Sequence, residues 1–226
     1  MKDKSDLLAI MCKYPAPNNG KTRLGETIGF SNAALVSKAL LLDLVEQHKH
    51  QSYNLVIRAP EQDSKYKTDF KRLLPDVTIH IGGGTSLRGP DSQLWNAFST
   101  YLGQFQRVIA LYADTPFVDN SLVSEAFQIL KSYDVVIGPD LGDGYYLIGL
   151  KMPYDLFTTM PPDRHPYRTK TIEKARELNL SYSLLVPRGD VDRIEDVHLF
   201  QEVDNSNWSR TVETLLSLHL LSNEEG

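Results

Sequence analysis

The chain has 226 residues, 41% hydrophobic and 23% charged, which is enough for one well-buried domain and short for two independent ones. A net charge of −5 excludes a broad basic footprint for nucleic acid, and a lone cysteine, Cys12, excludes a disulfide framework or a cysteine-built zinc site. Mean hydropathy is −0.31 and no apolar run nears the roughly 18 residues of a membrane span, so a membrane protein is excluded too. The charged start, residues 1–6, leads into a short apolar run without a small-residue cleavage site, and the expected location is cytoplasmic.

Residues 7–12, LLAIMC, form a continuous apolar run that predicts a buried strand. A polar loop shaped by Pro15, Pro17 and Gly20 follows, over 13–25. Ser31 is placed to cap a helix over about 32–49, where Ala34, Leu35, Ala39, Leu42 and Val45 recur at helical spacing. A second strand is expected at 53–57, a helix at 61–74 and a third strand at 77–81. The last runs into Gly82, Gly83 and Gly84, where backbone can approach a ligand closely. A helix at 92–102, a strand at 107–112, a helix at 121–131 and a strand at 134–137 continue the alternation. Such alternation predicts an α/β fold with a mostly parallel sheet covered on both faces. The strand expected at 145–150 directly follows another strand, so the sheet should be mixed. A helix at 169–178, a strand at 183–186 and a C-terminal helix at about 207–221 complete one domain, with its core over about 7–200. The 160–166 stretch reads as an ordered loop or a mobile flap.

In open α/β sheets ligands bind beyond the carboxyl ends of the parallel strands, and that rule selects four loops. The first carries Lys13, Pro15, Lys21 and Arg23, cations suited to a phosphate-bearing ligand, although a solvated basic turn has the same composition. It has neither Walker A spacing nor a G-x-G-x-x-G pattern. The second, with Gly83 and Gly84, can lie against a nucleotide or be a surface loop. The third holds Asp114 at the end of a buried strand, where a carboxylate can reach a divalent cation bridging two phosphates. Asp119 suits the cap of the next helix better, which leaves Asp114 free. The fourth, 190–197, holds Asp190 and Asp192, which point the same way if the piece is extended and can complete a metal site with Asp114. Helix capping by Asp192 is the structural alternative. Asp140 and Asp143 can bind an acceptor hydroxyl or act as base, or simply form the turn. His48 and His50 read as solvated at a helix end, Cys12 as core, and His165 as the one histidine with a case as a ligand.

These loops, in this order, resemble the bacterial DUF2064 family. The run Lys13-Tyr14-Pro15-Ala16-Pro17, with Lys21-Thr22-Arg23-Leu24, is similar to its K-x-P-x-P-G-x-x-K-T-R-L opening; Ala113-Asp114-Thr115-Pro116 to its S-D-x-P; the 138–150 segment to its G-P-x-x-D-G-G-Y-x-L-I-G-L; and Asp190-Val191-Asp192 to its D-V-D end. Asn18 stands at the family's loop glycine, Asp143 is displaced by one position, and Gln93 stands where the family has arginine. Members are commonly labelled glycosyltransferases. The resemblance implies a GT-A-like, nucleotide-diphospho-sugar transferase fold, a three-layer α/β/α sandwich over residues 1–226. It also implies Mg²⁺ or Mn²⁺ held by Asp114, Asp192 and Asp190, a nucleotide sugar as donor, and Asp143 or Asp140 serving an unknown small-molecule acceptor. A homodimer is compatible with it. The Lys21-Thr22-Arg23-Leu24 loop is also similar to the K-S-R-L loop of guanylyltransferases that act on phospholactate, which keeps open a nucleotidyltransferase using an NTP and releasing pyrophosphate. A non-catalytic nucleotide-binding module is a third reading.

Overall fold

The structure, a computed structural model, describes residues 5–82, 90–157, 166–201 and 206–221. Its centre is a sheet in the order β3-β2-β1-β4-β6-β5-β7, made of β1 (Asp6–Met11), β2 (Asn54–Ala59), β3 (Thr78–Ile81), β4 (Arg107–Tyr112), β5 (Val135–Pro139), β6 (Tyr145–Leu150) and β7 (Tyr182–Leu184). β6 alone runs antiparallel, between β4 and β5. The mixed sheet expected from two consecutive strands is therefore present, with an irregularity at Gly138 and Pro139 where the hairpin turns.

Every residue of β1, β5 and β6 is buried, which is why those strands read as unbroken apolar runs rather than alternating ones. Alternate residues of β1 serve opposite layers. Leu8 and Ile10 pack under α1 (Thr22–Ile28), α2 (Phe30–His48), α3 (Lys67–Leu73), α5 (Asn120–Ile129) and α7 (Ser209–Ser217). Leu7, Ala9 and Met11 pack under α4 (Pro90–Tyr101) and α6 (Tyr167–Glu177). Burying each such Leu or Ile contributes roughly 1.5–3 kcal/mol. The three-layer α/β/α sandwich is thus set by the two faces of one sheet. No helix among the described residues is long and apolar enough to cross a membrane.

Several local expectations change. The loop predicted over 13–25 turns into helix at Thr22, and the next helix starts at Phe30 rather than after Ser31. Gly29, at φ 87, makes the joint between α1 and α2, a conformation that a Ser cap is not required to set. Asp119 does cap α5: its side chain accepts from the Leu122 amide at 2.9 Å. The expected 61–74 helix splits into a 3₁₀ turn, Glu61–Tyr66, and α3. His48 is buried, not solvated. Its Nε2 donates to the Val118 carbonyl (3.0 Å), so Nδ1 accepts from the Tyr53 hydroxyl (2.6 Å). Burial drives its pKa down to about 4. The C-terminal helix is shorter than predicted and is docked by Asp43 of α2, whose buried carboxylate accepts from the Thr211 amide and hydroxyl (both 2.8 Å) and from Arg210 (3.0 Å).

Candidate functional site

The strand order reverses between β1 and β4, and a ligand crevice is expected outside their carboxyl ends. A cleft of about 450 Å³ opens there. It brings together Lys13, Pro15, Lys21, Arg23, Asp114 and Asp192, six of the residues singled out in the sequence. Met11, Cys12, Tyr112 and Gln93 add to its lining, as do Ser37, Leu40 and Leu41 of α2. None of these last three carries a motif signal, since an apolar helix face reads as core whether or not its end borders a cleft.

Two ion pairs cross the cleft. Lys21 Nζ stands 3.2 Å from Asp114 Oδ2, with the lysine side chain only 8% exposed and the aspartate 41%. Among the described residues that ammonium makes no hydrogen bond besides this ion pair. Lys21 also holds a left-handed backbone, φ 50, a conformation that costs a non-glycine residue on the order of 1 kcal/mol and needs support from its surroundings. Arg23 Nη1 donates to Asp192 Oδ2 at 2.6 Å, with Arg23 more than half exposed. Asp192 is not a helix cap. Asp196 reaches back to accept from the Asp192 and Arg193 amides (2.7 and 2.6 Å), and so the Asp192 carboxylate is left to Arg23.

The 190–192 segment is tied to the end of β4 by the Val191 amide, which donates to the Asp114 carbonyl (2.9 Å). Asp190 is not in the cleft lining, but it shares the local field. Burial, then repulsion from Asp114, raises its carboxyl above the ordinary value, against the attraction of Lys21. Among the described residues no three His, Cys, Asp or Glu side chains already converge as a metal cluster. The donors are nevertheless hard oxygens flanking a cleft that also holds cations, a set that suits Mg²⁺ or Mn²⁺ bound through one or two carboxylates together with ligand phosphates. Asp114 and Asp192, which line the cleft, fit that role.

The opening loop is gripped from below by a residue that the sequence did not mark. Asp63, in the 3₁₀ turn after β2, is fully buried and accepts from the Tyr14 amide (2.5 Å) and from Asn19 Nδ2 (2.9 Å). Tyr14 stacks on Tyr66 of the same turn, centroids 4.6 Å apart. Asn18, standing at the family's glycine, has φ 62, a conformation that asparagine tolerates well. Gly82 sits where any Cβ would run into the Glu61 carboxylate. Gly83, Gly84 and His165 lie outside the described residues. Cys12 borders the cleft, but burial first, then the charges of Asp63 and Asp114, push its thiol far up, which removes it as a nucleophile.

Asp140 and Asp143 are placed elsewhere. Neither lines the cleft. Asp140 accepts from the Gly144 amide (2.9 Å), and Asp143 accepts from the Thr169 hydroxyl (2.8 Å) and amide (3.3 Å) at the start of α6. Arg168 lies 3.9 and 3.6 Å from the two carboxylates.

Comparison with solved structures finds this fold in several other proteins. A Desulfovibrio desulfuricans G20 protein, provisionally named a nucleotide-diphospho-sugar transferase, matches with TM-score 0.85 and 25% identity over 96% of this chain and 97% of its own. A cytidylyltransferase from Leptospira borgpetersenii matches with TM-score 0.57 and 13% identity over 98% and 99%. Rv0371c of Mycobacterium tuberculosis H37Rv, solved as a complex with manganese, matches with TM-score 0.53 and 10% identity over 88% and 99%. A search of curated proteins finds no match. The family model described as "uncharacterized protein conserved in bacteria (DUF2064)" matches residues 41–163, a span that holds Asp63, Asp114, Asp140 and Asp143 and leaves out the opening loop and the 190–192 segment. With more than half of its length matched, the chain belongs to the DUF2064 family.

Proposed function

We propose that the chain is a divalent-metal-dependent transferase that uses a nucleotide-activated donor, and that a nucleoside diphosphate sugar is the donor that fits best. The observation that carries this reading is Lys21: a nearly buried ammonium held 3.2 Å from Asp114 at the switch point of the sheet, with no further hydrogen bond among the described residues. Likeness to the Desulfovibrio protein, whose name is that of a nucleotide-diphospho-sugar transferase, supports the choice of donor.

The chemistry follows from charge. As the bond to the donor diphosphate breaks, negative charge grows on the leaving oxygens, and fixed cations in a partly closed site stabilise it. Lys21 and Arg23 supply that charge by exchanging their aspartate partners for phosphate oxygens. Pro15 shapes the loop that presents them, and Lys13, exposed in the cleft, adds a third cation. Asp114 and Asp192 hold the metal, which when bound neutralises charge on the diphosphate as a Lewis acid. Asp140 and Asp143, engaged with α6, act in this reading on the position of that helix rather than on the acceptor, a small molecule.

Three cations around one cleft also favour a second reading, nucleotidyl transfer, in which they hold a triphosphate. Incubation with each NTP and each NDP-sugar, with Mg²⁺ or Mn²⁺, separates the two. Slow hydrolysis of an NDP-sugar is expected. Pyrophosphate release from an NTP supports the second reading instead. Nucleotide binding with turnover in no mixture leaves a non-catalytic module.

A further inference from the structure

We infer that Asp63 is a positioning residue for ligand phosphates: its buried carboxylate fixes the shape in which the opening loop presents its cations. The inference rests on the reading of that loop as a diphosphate site. A carboxylate buried without a cation is costly to the fold, and among the described residues no ion pair reaches Asp63. Among the described residues the hydrogen bonds of its carboxylate go to the loop: the Tyr14 amide on one oxygen and Asn19 Nδ2 on the other. Asn19 also donates from Nδ2 to the Tyr14 carbonyl (2.8 Å), so one acid and one amide close the segment 14–19 into a ring.

The rest of the same 3₁₀ turn points the same way. Tyr66 stacks on Tyr14, and Glu61 lies against Gly82, the residue after β3. One turn, Glu61–Tyr66, therefore bears both on the opening loop and on Gly82 at the end of β3. Downstream of Asn19 only Gly20 separates the ring from Lys21 and its strained backbone. Strained residues persist when their surroundings over-determine them, and here the closed ring upstream supplies that restraint. Released from Asp63, the loop keeps its cations but loses their arrangement, and misplacement of about 1 Å in a charged site is enough to cost up to about a hundredfold.

The test compares two affinities. Wild type, Asp63→Asn and Asn19→Ala are titrated with UDP, GDP and CDP and with the matching nucleosides, all with Mn²⁺. Wild type is expected to prefer one diphosphate over its nucleoside. In Asp63→Asn that preference should shrink at least tenfold while nucleoside affinity stays within twofold. Asn19→Ala, which removes one of the two grips, should shrink it several-fold and carries the test if Asp63→Asn does not fold. A lower Tm with an unchanged preference assigns Asp63 to the fold alone and overturns the inference. Wild type with no preference for a diphosphate overturns it together with the loop assignment, and that failure is visible without any variant.

Discussion

Two pairs of aspartates occupy loops of one sheet, and both face basic side chains, yet they are partnered differently. Asp114 and Asp192 come from segments far apart in the chain, and each meets a single cation from the opening loop. Asp140 and Asp143 share one tight turn, and their oxygens accept from backbone amides and a hydroxyl as well as facing Arg168. Amides at a turn or at the start of a helix have no intrahelical partner, and a carboxylate that caps them contributes about 1 kcal/mol. Arg23, more than half exposed, loses at most about 1 kcal/mol when its carboxylate is taken away, and the nearly buried Lys21 can give up Asp114 where a phosphate oxygen takes its place. The difference shows what makes an acid available to a ligand: not its place in a loop beyond the sheet, which both pairs have, but partners that can leave.

The largest effect expected from this contrast is at Asp114. Asp114→Asn should lower metal-dependent nucleotide affinity by a hundredfold or more, since even outer-shell partners of a metal are worth about 10–100-fold. It should lower stability only modestly, because the Asp114 side chain is 41% exposed, although the change leaves the nearly buried Lys21 ammonium without its carboxylate. Calorimetric titration with nucleotide and Mn²⁺ reads the first and thermal melting the second; unchanged affinity would remove Asp114 from the site. Next comes Lys21→Gly. It removes a charge-assisted contact to phosphate worth about 1.5–3 kcal/mol, so diphosphate affinity should drop about ten- to hundredfold. The same change relieves a non-glycine residue at φ 50, and Tm should hold or rise. A fall in both would mean that Lys21 is a packing residue.

The contrast was only half legible in the sequence. Buried strands announce themselves, because 7–12, 107–112 and 145–150 are apolar at every position that both helix layers cover. Asp114 and the Asp119 cap could be told apart by their distance from the next helix. What periodicity cannot carry is a partner distant in the chain. Asp63 and His48 look like solvated polar residues beside Glu61 and His50, and only the tertiary fold places them against Tyr14, Asn19, Tyr53 and Val118. For Asp140 and Asp143 the sequence left acceptor chemistry and turn formation both open, because α6, which engages them, begins more than twenty residues later.

A smaller effect tests the other side of the comparison. Asp143→Ala removes the acceptor for the Thr169 amide and hydroxyl at the first turn of α6, a cap-like contact worth about 1 kcal/mol. Stability should fall by that amount in denaturant unfolding, with nucleotide affinity within twofold of wild type. Retained stability with a tenfold loss of turnover would instead return Asp143 to the acceptor chemistry that its sequence position first implied.

The smallest and most diagnostic effect belongs to Arg23. Its pair with Asp192 is largely exposed, so Arg23→Ala should move stability by no more than about 0.5 kcal/mol. Binding should split in two directions. Asp192, relieved of its guanidinium, becomes a better metal ligand, and Mn²⁺ affinity without nucleotide should rise a few-fold. Diphosphate affinity should fall several-fold, because the cation that would meet the phosphate is gone. Opposite signs from one substitution are the signature of exchange, since a pair that merely decorated the surface would move neither and a pair that held the cleft together would lower both. Electron paramagnetic resonance of Mn²⁺ with and without nucleotide reads the two affinities separately. Higher salt should narrow the gap between wild type and variant, as an exposed pair is screened within about 8–10 Å at ordinary ionic strength.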